Sequence, residues 1–98
     1  MQRQLVQGEL GEFMSFKLSI ITPSGIAFED TVDSLAAPGL EGGFEVFSNH
    51  TSMLAALKQG QIKVRRSSGE QKFNAASGIL EVMPDHNVLV LVDSATIF

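Results

Sequence analysis

Residues 62–76 read IKVRRSSGEQKFNAA. Ile62 and Val64 alternate with Lys63 and Arg65, and a period of two is the signature of a strand with one face buried. Ser67-Ser68-Gly69 supplies hairpin chemistry, so residues 70–76 are predicted to return antiparallel to the first arm. Outward from this hairpin the same period recurs. FKLSIIT (16–22) sets Phe16, Leu18 and Ile20 against Lys17, Ser19 and Ile21. Pro23-Ser24-Gly25 turns the chain, because proline presets one dihedral and glycine supplies a positive one. IAF (26–28) and VDSLAA (32–37) read as short strands, and FEVF (44–47) places Phe44 and Val46 opposite Glu45 and Phe47. ILEVM (79–83) follows Gly78, and Pro84-Asp85-His86-Asn87 leads into VLVLV (88–92), apolar on both faces and so a central strand. MLAAL (53–57) is ambiguous, and residues 52–58 could hold one or two helical turns. Eight to ten short strands with frequent turn signals, and no long 3.6-residue period, predict an all-β fold: one small β-sandwich or flattened barrel.

The bulk composition bounds the function. A chain of 98 residues with 44% hydrophobic and 18% charged residues is one globular domain. A formal charge of −4 argues against a nucleic-acid module, which needs a basic face for phosphates. There is no cysteine, so thiol chemistry, zinc–thiolate sites and disulfides are excluded. No apolar run approaches the roughly 18 residues that span a bilayer. Residues 1–13 (MQRQLVQGELGEF) are polar and unpatterned, and are read as an extension outside the fold, with the domain covering 14–98.

The inventory for chemistry is thin. His86 lies in a turn where Asp and Asn bond their own backbone. His50, in SNHTS, has serine and threonine neighbours but no strained nucleophile elbow, and two histidines 36 residues apart match no zinc pattern. PGLEGG lacks the lysine of a phosphate loop and precedes a strand, so its glycines are expected to permit positive-φ backbone in a surface connection. Arg65-Arg66 reads as readily as a guard on a sheet edge as a binding patch. Neither catalytic, cofactor-binding nor metal-binding residues are expected. The remaining readings are a binding module, and a hydrolase for which no nucleophile–base pair exists.

The order of motifs then becomes informative. PSG-x-x-F (23–28), APG-x-x-G-x-F-x-V-x-x-x-H (37–50), L-x-A-L-K-x-G-x-I-x-V (54–64), SGILEV-x-P (77–84) and LV-x-V-D-S-A (89–95) together resemble the epsilon subunit of bacterial-type rotary ATP synthase, whose mitochondrial counterpart is called delta. The likeness runs from about Phe16 to Ala95, with one extra residue in the PDHN turn. It implies a β-sandwich of about ten strands at the foot of the central stalk. It further implies a non-catalytic rotor subunit on the cytoplasmic face of the bacterial plasma membrane, one that would bind the gamma subunit and the polar loops of the membrane c-ring and couple proton flow to ATP synthesis.

Carried over by position, Glu41, Gly42, Gly43 and Phe44 would lie near the ring, and His50 near gamma and the ring; Glu41, Phe44 and His50 are expected to cluster. No nucleic acid, no lipid insertion and no cofactor are implied, and the isolated chain is expected to be monomeric. The family's run after the glycine loop is G-[VI]-L-P-G-H-A-P-L-L. Here residues 45–54 read EVFSNHTSML, with both prolines and both glycines replaced and His50 kept. Members that inhibit ATP hydrolysis do so through a C-terminal helical hairpin. No such hairpin precedes Phe98, so this chain is expected not to inhibit. The alternative, a free-standing sandwich that binds carbohydrate or peptide, is weakened because its seven aromatic residues are all phenylalanines, most of them at inward alternation.

Overall fold

Alternating burial is what the period of two produces once strands pair. In Phe16–Thr22 the residues Phe16, Leu18 and Ile20 are buried while Lys17 is exposed. The computed structural model describes residues 15–98, and the reading of residues 1–13 lies outside them. Ten strands follow in chain order: β1 (Phe16–Thr22), β2 (Gly25–Val32), β3 (Ser34–Gly39), β4 (Gly42–Phe47), β5 (Met53–Leu57), β6 (Gly60–Arg66), β7 (Gly69–Ala75), β8 (Gly78–Val82), β9 (Val88–Val92) and β10 (Ala95–Ile97). No helix occurs among the described residues. The all-β expectation holds, and the ambiguous MLAAL is a strand, held to β8 from Met53–Val82 to Leu57–Gly78.

The strands form one continuous sheet in the order β10-β7-β6-β3-β5-β8-β9-β1-β2, with β4 on the flank of β3. The fold bends at β3. Its first half pairs with β6, Ser34 to Arg65 through Ala36 to Lys63. Its last residue, Gly39, pairs instead with Leu57 of β5. One strand thus belongs to both layers, which lets a single ladder fold over its own side chains. Every pairing is antiparallel except β1 with β9, where Leu18–Ile21 lie parallel to Val88–Leu91. The central position expected for residues 88–92 is confirmed, since β9 lies between β8 and β1.

Between the layers Leu18, Ile20, Leu35, Val46, Ile62, Val64, Leu80 and Val90 are wholly buried. Burying each such side chain contributes about 1.5–3 kcal/mol. The predicted β6–β7 hairpin forms with Arg66 opposite Gly69, whose φ of 131° supplies the left-handed step that closes the turn.

On the far side, β2 and β6 meet without a ladder. The Asp33 N–H donates to the Arg65 carbonyl at 2.7 Å. The Arg66 guanidinium pairs with the Asp30 carboxylate and sits 5.2 Å over the Phe28 ring, which in turn meets Phe73 edge-on at 5.4 Å. This corrects the reading of Arg65-Arg66 as an edge guard: β6 is an interior strand, and Arg66 closes the seam. The Asp30 carboxyl is held below the usual carboxylate range by the Thr31 N–H bonded to it and by Arg66. VDSLAA divides at Asp33, with Val32 ending β2 and Ser34 opening β3, because the chain crosses that seam there.

Candidate functional site

The β3–β4 hairpin makes one end of the sandwich. Gly39 pairs with Gly42 across the two-residue turn Leu40-Glu41, and Gly42 takes φ +135°. The three glycines of this loop have three different reasons. Only Gly42 needs the left-handed conformation. Gly39 needs space: a Cβ there would lie 2.5 Å from the Gly42 carbonyl oxygen and 2.8 Å from two ring carbons of Phe44. Gly43 needs neither, since a Cβ would meet nothing nearer than the Ala37 carbonyl at 3.7 Å. Positive φ at all three is therefore not what the loop uses.

Phe44 lies over Gly39 and packs, half-buried, against the core. It is part of the fold as well as of the surface. Beside it opens a groove of about 320 Å³ lined by Leu40, Glu41, Gly42, Phe44, Leu54 and Ala55, among others. The groove is apolar at its rim, where Leu40 is 62% and Leu54 69% exposed. Glu41 is the carboxylate on its wall.

His50 lies in the loop between β4 and β5, and Leu54, four residues on, lines the groove together with Glu41 and Phe44. The His50 Nδ1–H donates to the Thr51 carbonyl at 2.8 Å. The His50 carbonyl accepts from His86 Nδ1 at 3.2 Å, so each ring must carry its proton on Nδ1. His86 belongs to the turn after β8, where Asn87 N–H bonds Asp85 Oδ1 as Asx chemistry predicts. Its part in supporting the His50 loop was not visible from residue types, because the contact joins positions 36 apart.

Among the described residues only Asn49 and His86 are non-glycine residues with positive φ, 60° and 72°. Asn49 stands where the quoted family run has its second glycine. Asparagine tolerates the left-handed region better than other residues with a Cβ, so the dihedral survives the replacement. No three His, Asp or Glu side chains gather as metal ligands among the described residues, and no helix there is long and apolar enough to cross a membrane.

Residues 15–97 match the family described as ATP synthase, Delta/Epsilon chain, beta-sandwich domain. The chain belongs to this family. An ATP synthase epsilon chain of Chlorobium limicola is 38% identical over 80 residues, covering 81% of this chain and 91% of the relative. One from Dehalococcoides mccartyi is 38% identical over 79 residues, but the aligned part is 56% of that relative. Among solved structures, a chain of the Euglena gracilis mitochondrial ATP synthase OSCP/F1/c-ring assembly has a TM-score of 0.79 at 16% identity, over 85% of this chain and 53% of that one. A chain of the Tetrahymena thermophila mitochondrial central stalk and c-ring has a TM-score of 0.70 at 19% identity, over 83% and 65%. These two show a shared fold. As a delta/epsilon-type β-sandwich, the chain is a non-catalytic component of ATP synthase.

Proposed function

We propose that this epsilon-type domain works in the central stalk as a rigid coupling piece, seated on the polar loops of the c-ring and held by the gamma subunit. The family match across all ten strands carries the reading, and the geometry supports its details. A part that transmits torque must not shear. Here one hydrogen-bonded sheet runs through both layers, β3 belongs to each, and side chains lock the β2–β6 seam. The Leu40-Glu41 turn would offer the ring an apolar tip beside one carboxylate, and the His50 loop, supported by His86, would face gamma. The domain would sit peripherally on the cytoplasmic side of the bacterial plasma membrane.

The test is reconstitution of a head complex lacking epsilon with the 98-residue chain. Restored attachment to the c-ring, hydrolysis within about twofold of the untreated head, and no saturable MgATP heat at millimolar ligand are expected of these 98 residues, because the inhibitory element of longer members is helical and the described residues form strands throughout. Failure to restore ring attachment would refute the proposal.

A further inference from the structure

Residues 48–52 join β4 to β5 and lie outside the ladders on either side, which reach Phe47 opposite Ser34 and resume at Met53 opposite Val82. Among the described residues, one hydrogen bond reaches this loop from another element: His86 Nδ1–H donates to the His50 carbonyl at 3.2 Å. The loop thus depends on a side chain where the strands depend on backbone ladders.

The turn that carries His86 is built firmly. Met83 N–H bonds the Asn87 carbonyl and His86 N–H the Met83 carbonyl, both at 2.8 Å, and the Asp85 carboxylate accepts from the main-chain and side-chain amides of Asn87. None of these bonds uses the imidazole. Nor does the turn explain the residue type: at φ 72° glycine would serve with less strain, and asparagine at least as well. Strained positions persist where the surroundings over-determine them. What histidine adds here is the donor that meets His50.

That donor fixes more than a carbonyl. Asn49, immediately before His50, is the other non-glycine residue at positive φ among the described residues, so the loop bends sharply there. The His50 Nδ1–H turns back to the Thr51 carbonyl at 2.8 Å. With its main chain held by His86 and Nδ1 held by Thr51, the half-buried His50 ring has one polar atom left, Nε2. In the neutral ring that atom is a bare acceptor. We infer that His86 is a positioning residue for His50, and that the group His50 meets on its partner is a hydrogen-bond donor: a hydroxyl, an amide or a cation. This rests on the stalk reading above, in which the His50 loop meets gamma.

The test joins imidazole nitrogen-15 spectra of the 98-residue chain in alkaline buffer to a titration with purified gamma subunit. In the parent, His50 should show the Nδ1–H tautomer, and His86→Gly should shift it toward the Nε2–H form that unconstrained histidine favours. His86→Gly relieves the backbone and His86→Ala does not, so the glycine variant should melt higher. Both lose the donor, and both should raise Kd about threefold to tenfold, the worth of one hydrogen bond. His86→Asn keeps an N–H on the nitrogen attached to Cγ, where imidazole Nδ1 sits, and tolerates positive φ, so it should bind within about twofold of the parent. A merely structural role would make affinity follow Tm across the three variants. Binding by His86→Gly equal to the parent's, or by His86→Asn as weak as that of His86→Gly, overturns the positioning role. A parent His50 in the Nε2–H form overturns the acceptor assignment and the inference with it. If the parent does not bind gamma, the stalk reading falls, and the spectra alone judge the contact between the two histidines.

Discussion

Gly39→Ala should be the most damaging single-methyl change in the PGLEGG loop, and the reason is space. Gly39 has no positive φ, so the backbone would accept alanine. The added Cβ would sit 2.5 Å from the Gly42 carbonyl oxygen and 2.8 Å from the Phe44 ring. The ring can rotate away, but the carbonyl belongs to the β3–β4 pairing and can move only by opening the hairpin end. Overpacking of this kind costs about 1–3 kcal/mol, and backbone displacement puts this case near 2–3 kcal/mol. For a domain of this size each kcal/mol lowers Tm by about 4–8 °C, so a fall of about 10–20 °C is expected.

Two neighbouring controls isolate the cause. Gly42→Ala meets open space but must hold φ +135°, which costs about 1–2 kcal/mol. Gly43→Ala has room and an ordinary dihedral, and should fall within about 0.5 kcal/mol of the parent. With no tryptophan or tyrosine in the chain, urea and thermal unfolding are best followed by circular dichroism. Equal effects at positions 39 and 43 would refute the crowding argument. A larger effect at 42 than at 39 would show that conformation, and not volume, dominates the loop.

Asn49→Gly should raise stability by about 0.5–1 kcal/mol by relaxing a residue at φ 60°, whereas Asn49→Val should lower it by about 1–2 kcal/mol; urea midpoints read both. Phe44→Ala should destabilise the isolated domain by about 1–3 kcal/mol, less than the loss of a fully buried phenylalanine, while His50→Ala should change it by under about 1 kcal/mol; each should weaken assembly with gamma and the ring by about 1–2 kcal/mol, so a binding titration beside a melt separates packing from contact. The carboxyl of Asp30 is held below its ordinary range in the folded state, so its contribution is present above the ordinary aspartate value of about 3.9 and is lost as pH falls through the lower folded value; Asp30→Asn should remove that part of the acid-side slope in urea midpoints measured from pH 5 downward, and an unchanged slope would rule the seam out as its source.

Which residues face inward was readable from local pattern, because burial on a pleated strand repeats every second residue. That is why the faces of β1, β4 and β6, the hairpin at Ser67-Ser68-Gly69 and the interior place of β9 could be read along the chain. The order of short motifs was likewise enough to point to the family. β10 escaped because three residues carry no period, and it exists only where β7 offers Ala75, Asn74 and Phe73 to pair with. β5 was ambiguous for a related reason: MLAAL is apolar throughout, and only the β8 ladder makes it extended.

The candidate site divided in the same way. Glu41, Gly42 and Phe44 could be named from the loop, but that Gly39 is small to admit the Phe44 ring, and that His86 holds the His50 carbonyl from 36 residues away, depended on the folded arrangement. So did the lateral register of Ala56, Ile79, Leu91, Ile21 and Ile26, which come from five separate segments and look unremarkable in each. A period of two states the face on which a side chain lies and leaves open which strand lies beside it. Register is set by long-range pairings, and a slip of one residue would send every side chain to the other face, so lateral neighbours are decided only when the whole sheet closes.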